Sequence, residues 1–252
     1  VFANDDSEVL PGNVATAFEV TGAGSVLQLQ DKAQAVVYRG AYVNDGGTVN
    51  IVGNASISAA SSALEGNNLY GTSNINISDN AYVGSNFGAA IYIPNAANLM
   101  MTGGTVQGNY AGIHAKMGTI SVLGGTVRAT GEKYVASASS EVSGGSCADG
   151  SAIVLHAYLY NVTPSSNNDY EEAGATNALN VTIGENVILE SKNWNSITYY
   201  DWAKEEQSVT IDSGSYSVYT VATDKVSLAR IADKQVTAFA YHEILLNSDI
   251  ND

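Results

Sequence analysis

The stretch NLMMTGGTVQGNYAGIHAKMGTISVLGGTVRATG, residues 98–131, states one pattern twice. Leu99-Met100-Met101-Thr102-Gly103-Gly104-Thr105-Val106 is answered 21 residues later by Ile120-Ser121-Val122-Leu123-Gly124-Gly125-Thr126-Val127. Self-similarity at a fixed period constrains the fold more than any other feature of this chain. Short apolar-x-apolar strands recur at Leu27, Val49, Ile75, Leu99, Ile120, Val181 and Val209, at intervals of 22, 26, 24, 21, 61 and 28 residues. Each runs into a turn, such as Gly53-Asn54, Asp79-Asn80, Gly103-Gly104 or Gly124-Gly125, and then into another short run.

Alternation within each strand marks one buried face. The middle residues Gln28, Asn50, Asn76, Ser121, Thr182 and Thr210 are polar and belong outside, with Met100 the exception. Their Leu, Val and Ile neighbours belong inside. A further strand follows some 14 to 16 residues on, at Ile91-Tyr92-Ile93, Ile113-His114-Ala115 and Ile197-Thr198-Tyr199, and, after an insertion, at Ile153-Val154-Leu155. A hairpin would pair strands that are neighbours in sequence. Here the likeness lies between strands one whole repeat apart, which predicts coils stacked in parallel. One turn then returns the chain to the same place about 4.8 Å further along the axis.

Two insertions break the rhythm, at 131–149 and 157–178, and account for the interval of 61. Coils are expected over residues 20–220, seven or more in number. The stretch 221–252 is richer in apolar residues and is expected to form a C-terminal cap of strands or a helix, the whole 1–252 being one domain.

Composition narrows the function. Asp and Glu number 25 against 10 Lys and Arg, a net charge of −15. Nucleic-acid binding needs a basic footprint, which is missing, and anionic membranes are disfavoured. The longest apolar runs are too short to span a bilayer as a helix. Cys147 is the single cysteine, so neither an intrachain disulfide nor a thiolate metal cage can form. Val1-Phe2-Ala3 fits the small-x-small end of a secretory signal, which supports a secreted or cell-surface location.

Aromatic residues gather in the second half. Trp194 and Trp202 are joined by Tyr158, Tyr160, Tyr199 and Tyr200, and Tyr92 and His114 on the outward side extend the strip. Flat rings stack on sugar faces while their polar edges stay wet. These eight residues are the candidate glycan-binding set. The competing reading makes Trp194, Tyr199 and Trp202 anchors that pack the insertions onto the rod. Asp169, Glu171 and Glu172, in the run Asn167–Glu172, gather oxygen ligands of the kind calcium prefers but lack the EF-hand spacing. His114 and His156 fall on adjacent coils two positions apart, without a third ligand for zinc.

Through "NINISDNAYVG", "MMTGGTVQG" and "ISVLGGTVRATG", the chain resembles right-handed parallel β-helix proteins of the pectate-lyase-like kind, which are common among secreted and surface proteins of bacteria. The resemblance implies an all-β right-handed solenoid. It also implies polysaccharide chemistry: a lyase using calcium and a basic residue, or a hydrolase using carboxylates on neighbouring coils. The residues depart from both patterns. The outward ladder of the first strand holds no acid, and Glu65 aligns with Tyr92 and His114 as one carboxylate among neutral groups. Lys116 is the best-placed base but has no acidic triplet beside it. The reading is therefore a non-catalytic extracellular rod for adhesion or glycan binding. A β-helix lyase or hydrolase and a structural stalk or filament module are the alternatives.

Overall fold

The computed structural model describes residues 16–66, 72–94, 97–131, 150–158, 179–192 and 196–202, together with four short strands nearer the C-terminus. Burial is defined for residues up to 197 and not for residues 156–158. All the regular structure described is β, and every strand pair is parallel.

Each coil contributes strands to three faces in turn. The first face is an eight-stranded sheet, ordered β1 (Thr16–Thr21), β4 (Arg39–Asn44), β7 (Leu64–Gly66), β10 (Ala89–Ile93), β13 (Ala111–Ala115), β15 (Ser151–Tyr158), β17 (Ile197–Trp202) and β20 (Leu228–Ala232). The second face stacks β2 (Val26–Leu29), β5 (Thr48–Ile51), β8 (Ser73–Ile77) and β11 (Ala97–Met101). The third stacks β3 (Gln34–Val37), β6 (Ser56–Ala59), β9 (Tyr82–Ser85) and β12 (Thr105–Gly108). Two long strands, β14 (Gly118–Ala129) and β16 (Leu179–Ser191), run through both of these faces and join them into one sheet. Beyond them β18 (Ser208–Ile211) and β21 (Leu245–Leu246) extend the second face and β19 (Ser215–Val218) the third. About five turns are fully described.

The repeat read from the sequence is the stacking repeat of the molecule. Leu99 pairs with Ile75 below and Ile120 above, and Ile120 pairs in turn with Val181. Val49, Ile75, Leu99, Ile120 and Val181 are all buried, as are Ile51, Ile77, Met101, Val122 and Ile183 beside them. Full burial of one such side chain is worth about 1.5–3 kcal/mol. The outward positions between them carry Gln28, Asn50 and Asn76. Asn50 Nδ2 donates to Gln28 Oε1 at 3.0 Å, and Asn76 Nδ2 donates to Asn50 Oδ1 at 2.8 Å. Each amide thus links one coil to the next. Met100 breaks the ladder and stays 41% exposed.

The Gly-Gly bends have a steric cause. Gly104 and Gly125 have φ of 83° and 93°, in the left-handed region. A Cβ at Gly104 would lie 2.5 Å from the carbonyl oxygen of Ala81 on the coil below. No side chain fits at that turn without moving the neighbouring backbone. At the matching turns of lower coils the chain uses Asp31 and Asp79, both with φ of 60°, a conformation that short polar residues tolerate.

The described strands bear on the expected insertions and on the C-terminal stretch. Ala157 and Tyr158, assigned to the second insertion, are the last residues of β15 and pair with Asp201 and Trp202. After residue 221 the described segments are strands that continue the ladders, β20 on β17 and β21 on β18. The remainder of 221–252, and nearly all of both insertions, lies outside the described residues, so the expected number of coils also rests partly on residues outside them.

Candidate functional site

The corner where the third face turns into the first departs most from the repeat. After β3 comes Tyr38, between β9 and β10 comes Phe87, and between β12 and β13 comes Tyr110. The coil between Tyr38 and Phe87 has Ser61 and Ser62 at this corner instead of a ring. Backbone hydrogen bonds hold the corner in register. Ser61 N donates to Tyr38 O at 2.8 Å, Phe87 N to Ala60 O at 2.9 Å, and Tyr110 N to Gly88 O at 3.3 Å. Ser85 Oγ accepts from Gly88 N at 2.9 Å and closes the turn that carries Phe87. Gly40 is required here for close approach, because a Cβ would fall 1.9 Å from the Ala63 carbonyl oxygen.

The rings face solvent. Phe87 is 68% exposed, Tyr38 42% and Tyr110 38%. Phe87 and Tyr110 sit one rise apart, and Tyr38 and Phe87 two rises, about 9.6 Å. With serines in place of a ring on the intervening coil, a cleft of about 340 Å³ opens at the corner. Tyr38, Phe87 and Tyr110 line it, with Arg39, Glu65 and Tyr92 contributed by the first face.

The charged groups of the cleft come from neighbouring strands. Glu65 on β7 pairs in register with Tyr42 below and Tyr92 above, and Tyr92 pairs with His114. Burial pushes the Glu65 carboxyl above its ordinary value, and the nearby Arg39 guanidinium pulls part of that shift back. Arg39 is exposed and makes no ion pair with Glu65, whereas Arg128 and Glu190 on the third face do pair. The cleft therefore offers a half-buried carboxylate, an accessible guanidinium and several rings. The carboxylate and guanidinium suit hydroxyl, amide and ammonium groups, and the rings suit a flat apolar surface.

Of the residues expected from sequence to bind a glycan, Tyr92 is half-buried and lines this cleft. His114 is not on an open surface as expected. It is 1% exposed, between Tyr92 and the fully buried Val154 on its ladder, with its ring centroid 5.2 Å from that of Tyr92 at a 55° tilt. Its ladder neighbours on the two adjacent coils are Tyr92 and Val154. Lys116, the candidate base, is fully buried with Nζ 5.5 Å from the Tyr92 ring centroid. That geometry is a cation–π contact. The alignment of His114 and His156 holds, because Val154 is the ladder partner of His114 and His156 lies two residues on.

Register divides the remaining candidates. Tyr200 pairs with His156 and Trp202 with Tyr158, so all four fall in the alternating set of Val154 and His114. Tyr199 pairs with Leu155 and falls in the other set, whose members Ile153, Leu155 and Ile197 are buried. Tyr160, Trp194 and the calcium candidates Asp169, Glu171 and Glu172 lie outside the described residues, as does Cys147. Among the described residues no three His, Cys, Asp or Glu side chains converge on a common point. No helix in the described residues is long and apolar enough to cross a membrane.

Sequence reasoning missed Tyr38, Phe87 and Tyr110. A signal was present: Tyr38-Arg39-Gly40, Phe87-Gly88 and Tyr110-Ala111-Gly112 each place a ring just ahead of a glycine at the end of a coil's last apolar strand.

Fold and cleft together define a parallel β-solenoid with a ring-lined corner site. In comparison with known proteins, no family model, curated protein or solved structure matches the chain.

Proposed function

We propose that this chain is a non-catalytic glycan-binding or adhesive module of a bacterial protein that is secreted or held at the cell surface. The observation that carries the reading is the row of exposed rings, Tyr38, Phe87 and Tyr110, around one cleft on a rigid corner. The backbone that carries these rings is held by hydrogen bonds from coil to coil, so stacking on a sugar orders side chains alone, at a smaller entropy cost than ordering a loop. The arrangement supports binding more than cleavage. Hydrolysis of a glycoside takes two carboxyl groups about 5–9.5 Å apart, and among the described residues Glu65 is the one carboxylate lining the cleft.

A glycan array read with the wild-type chain and with Tyr110→Ala tests the proposal. Retention on the array is expected to fall about five- to tenfold in the variant, the loss of one aromatic contact, with an unchanged melting temperature. Equal retention by both proteins sinks the corner site. Depolymerisation of any polysaccharide, with or without added calcium, would move the chain to the enzyme reading.

A further inference from the structure

The rings of the cleft have an ordinary reason to meet a sugar; Glu65 needs a separate one. A carboxylate that is half-buried loses hydration, and a protein tolerates that when a donor or cation restores it. On the ladder of Glu65, the neighbours Tyr42 and Tyr92 carry no cation, and no hydrogen bond is among the influences on its carboxyl. Arg39 lies near enough to be felt but does not form an ion pair with it. The missing partner belongs on the open side of the cleft, where the ligand enters. The face of a ring attracts a cation, and the rings of Tyr38, Phe87, Tyr92 and Tyr110 line the same space. A net charge of −15 draws cations to this surface from a distance.

We infer that the sugar unit seated in this cleft carries a free ammonium group: the site takes a glycan of amino sugars, with the pyranose against the rings and the ammonium against Glu65. This rests on the glycan-binding reading and makes it more specific. The intervening coil supplies the room. Ser61 and Ser62 line the cleft on the same coil as Glu65, and the ring pair on either side is separated by two rises. Arg39 has a definite part. Its guanidinium competes with the ligand's ammonium for Glu65, so it limits affinity for the cationic sugar while donating to hydroxyls of a neutral one.

The test compares oligomers of N-acetylglucosamine with the same oligomers after removal of the acetyl groups, at a pH that keeps the amine protonated and Glu65 ionised. Calorimetric titration of the wild-type chain is expected to give about tenfold tighter binding of the deacetylated oligomer, the size of one charge-assisted hydrogen bond. Glu65→Gln is expected to bring the two affinities together by weakening the deacetylated oligomer more than the acetylated one. Arg39→Gln, at an exposed position outside the core, is expected to widen the preference. Equal affinity for both oligomers in the wild type overturns the amino-sugar assignment and leaves the aromatic corner standing. A preference that survives Glu65→Gln also overturns it, because the charge would then be read by the acidic surface at large. If neither oligomer binds and a glycan array is also blank, the glycan reading falls and this assignment with it.

Discussion

The face carrying Gln28, Asn50 and Asn76 and the corner carrying Tyr38, Phe87 and Tyr110 belong to the same coils, yet they treat the repeat in opposite ways. On the face, like stands over like. Each amide donates to the one beneath, and each inward aliphatic meets another. At the corner, one coil withholds what its neighbours supply, and Ser61 and Ser62 interrupt the rings to make a cleft. A solenoid is held together by sameness from coil to coil. A localised site needs one coil to differ. The two regions should therefore separate in experiment, stability following the face and ligand retention following the corner.

The sharpest way to break that division is through the core beneath the face. Leu99→Ala removes a side chain clamped between Ile75 and Ile120, and is expected to cost about 2–5 kcal/mol, read as a lowered denaturant midpoint. Glycan retention by the fraction that remains folded should be unchanged. If Leu99→Ala weakened binding in the folded protein, the corner would not be independent of the stack. Next in size, Asn76→Ala deletes one rung of the amide ladder and leaves Asn50 without its donor. A loss of about 1 kcal/mol is expected, with binding again unaffected.

Two pH experiments sharpen the comparison further, one in each region. At the corner, the folded-state pKa of Glu65 is raised, so folding favours its protonated form. Its ionised form opposes folding at neutral pH, and that penalty disappears as pH falls through the raised value. Glu65→Gln is therefore expected to raise the melting temperature at neutral pH and to lose that advantage in acid. The corner would then be a place where stability is lower for the sake of a binding group. A variant less stable than wild type at neutral pH would contradict this. At the turn between the second and third faces, Asp79 has the opposite sign. Its carboxylate accepts from Gly53 N at 3.0 Å and from Ser78 Oγ at 2.9 Å, and these bonds lower its pKa. Its contribution is present above the ordinary carboxylate range and is lost as pH falls through the depressed value. The group is fully exposed, so the effect is the smallest of the four. Asp79→Asn should flatten only the acid end of the stability curve, measured by thermal melts from neutral pH downward.

The stack was legible in the sequence because its demands recur. Every inward position meets another inward position, so Ile75, Leu99 and Ile120 announce one another at 24 and 21 residues. The ladder of Glu65, Tyr92 and His114 was legible for the same reason, since register along a strand follows from alternation. The exposure of His114 was not, because alternation says which side a residue takes and nothing of what covers that side. The cleft was not legible either. It is made by residues between strands, where period two stops, and by the smallness of Ser61 and Ser62. The second half is richer in rings by composition, and there only the backbone register of Tyr158, Tyr200 and Trp202 is described.

The interposed serine coil sets the gap between Tyr38 and Phe87, and in a stack of this kind such a gap comes only in whole steps of about 4.8 Å. Excising that one coil would bring the two rings to adjacent levels and remove Glu65 in the same stroke. Duplicating it would move the rings a level further apart with two carboxylates between them. The protein is in this respect a gauge whose divisions are turns of the chain, and the spacing of Tyr38 and Phe87 can change only by gaining or losing a division.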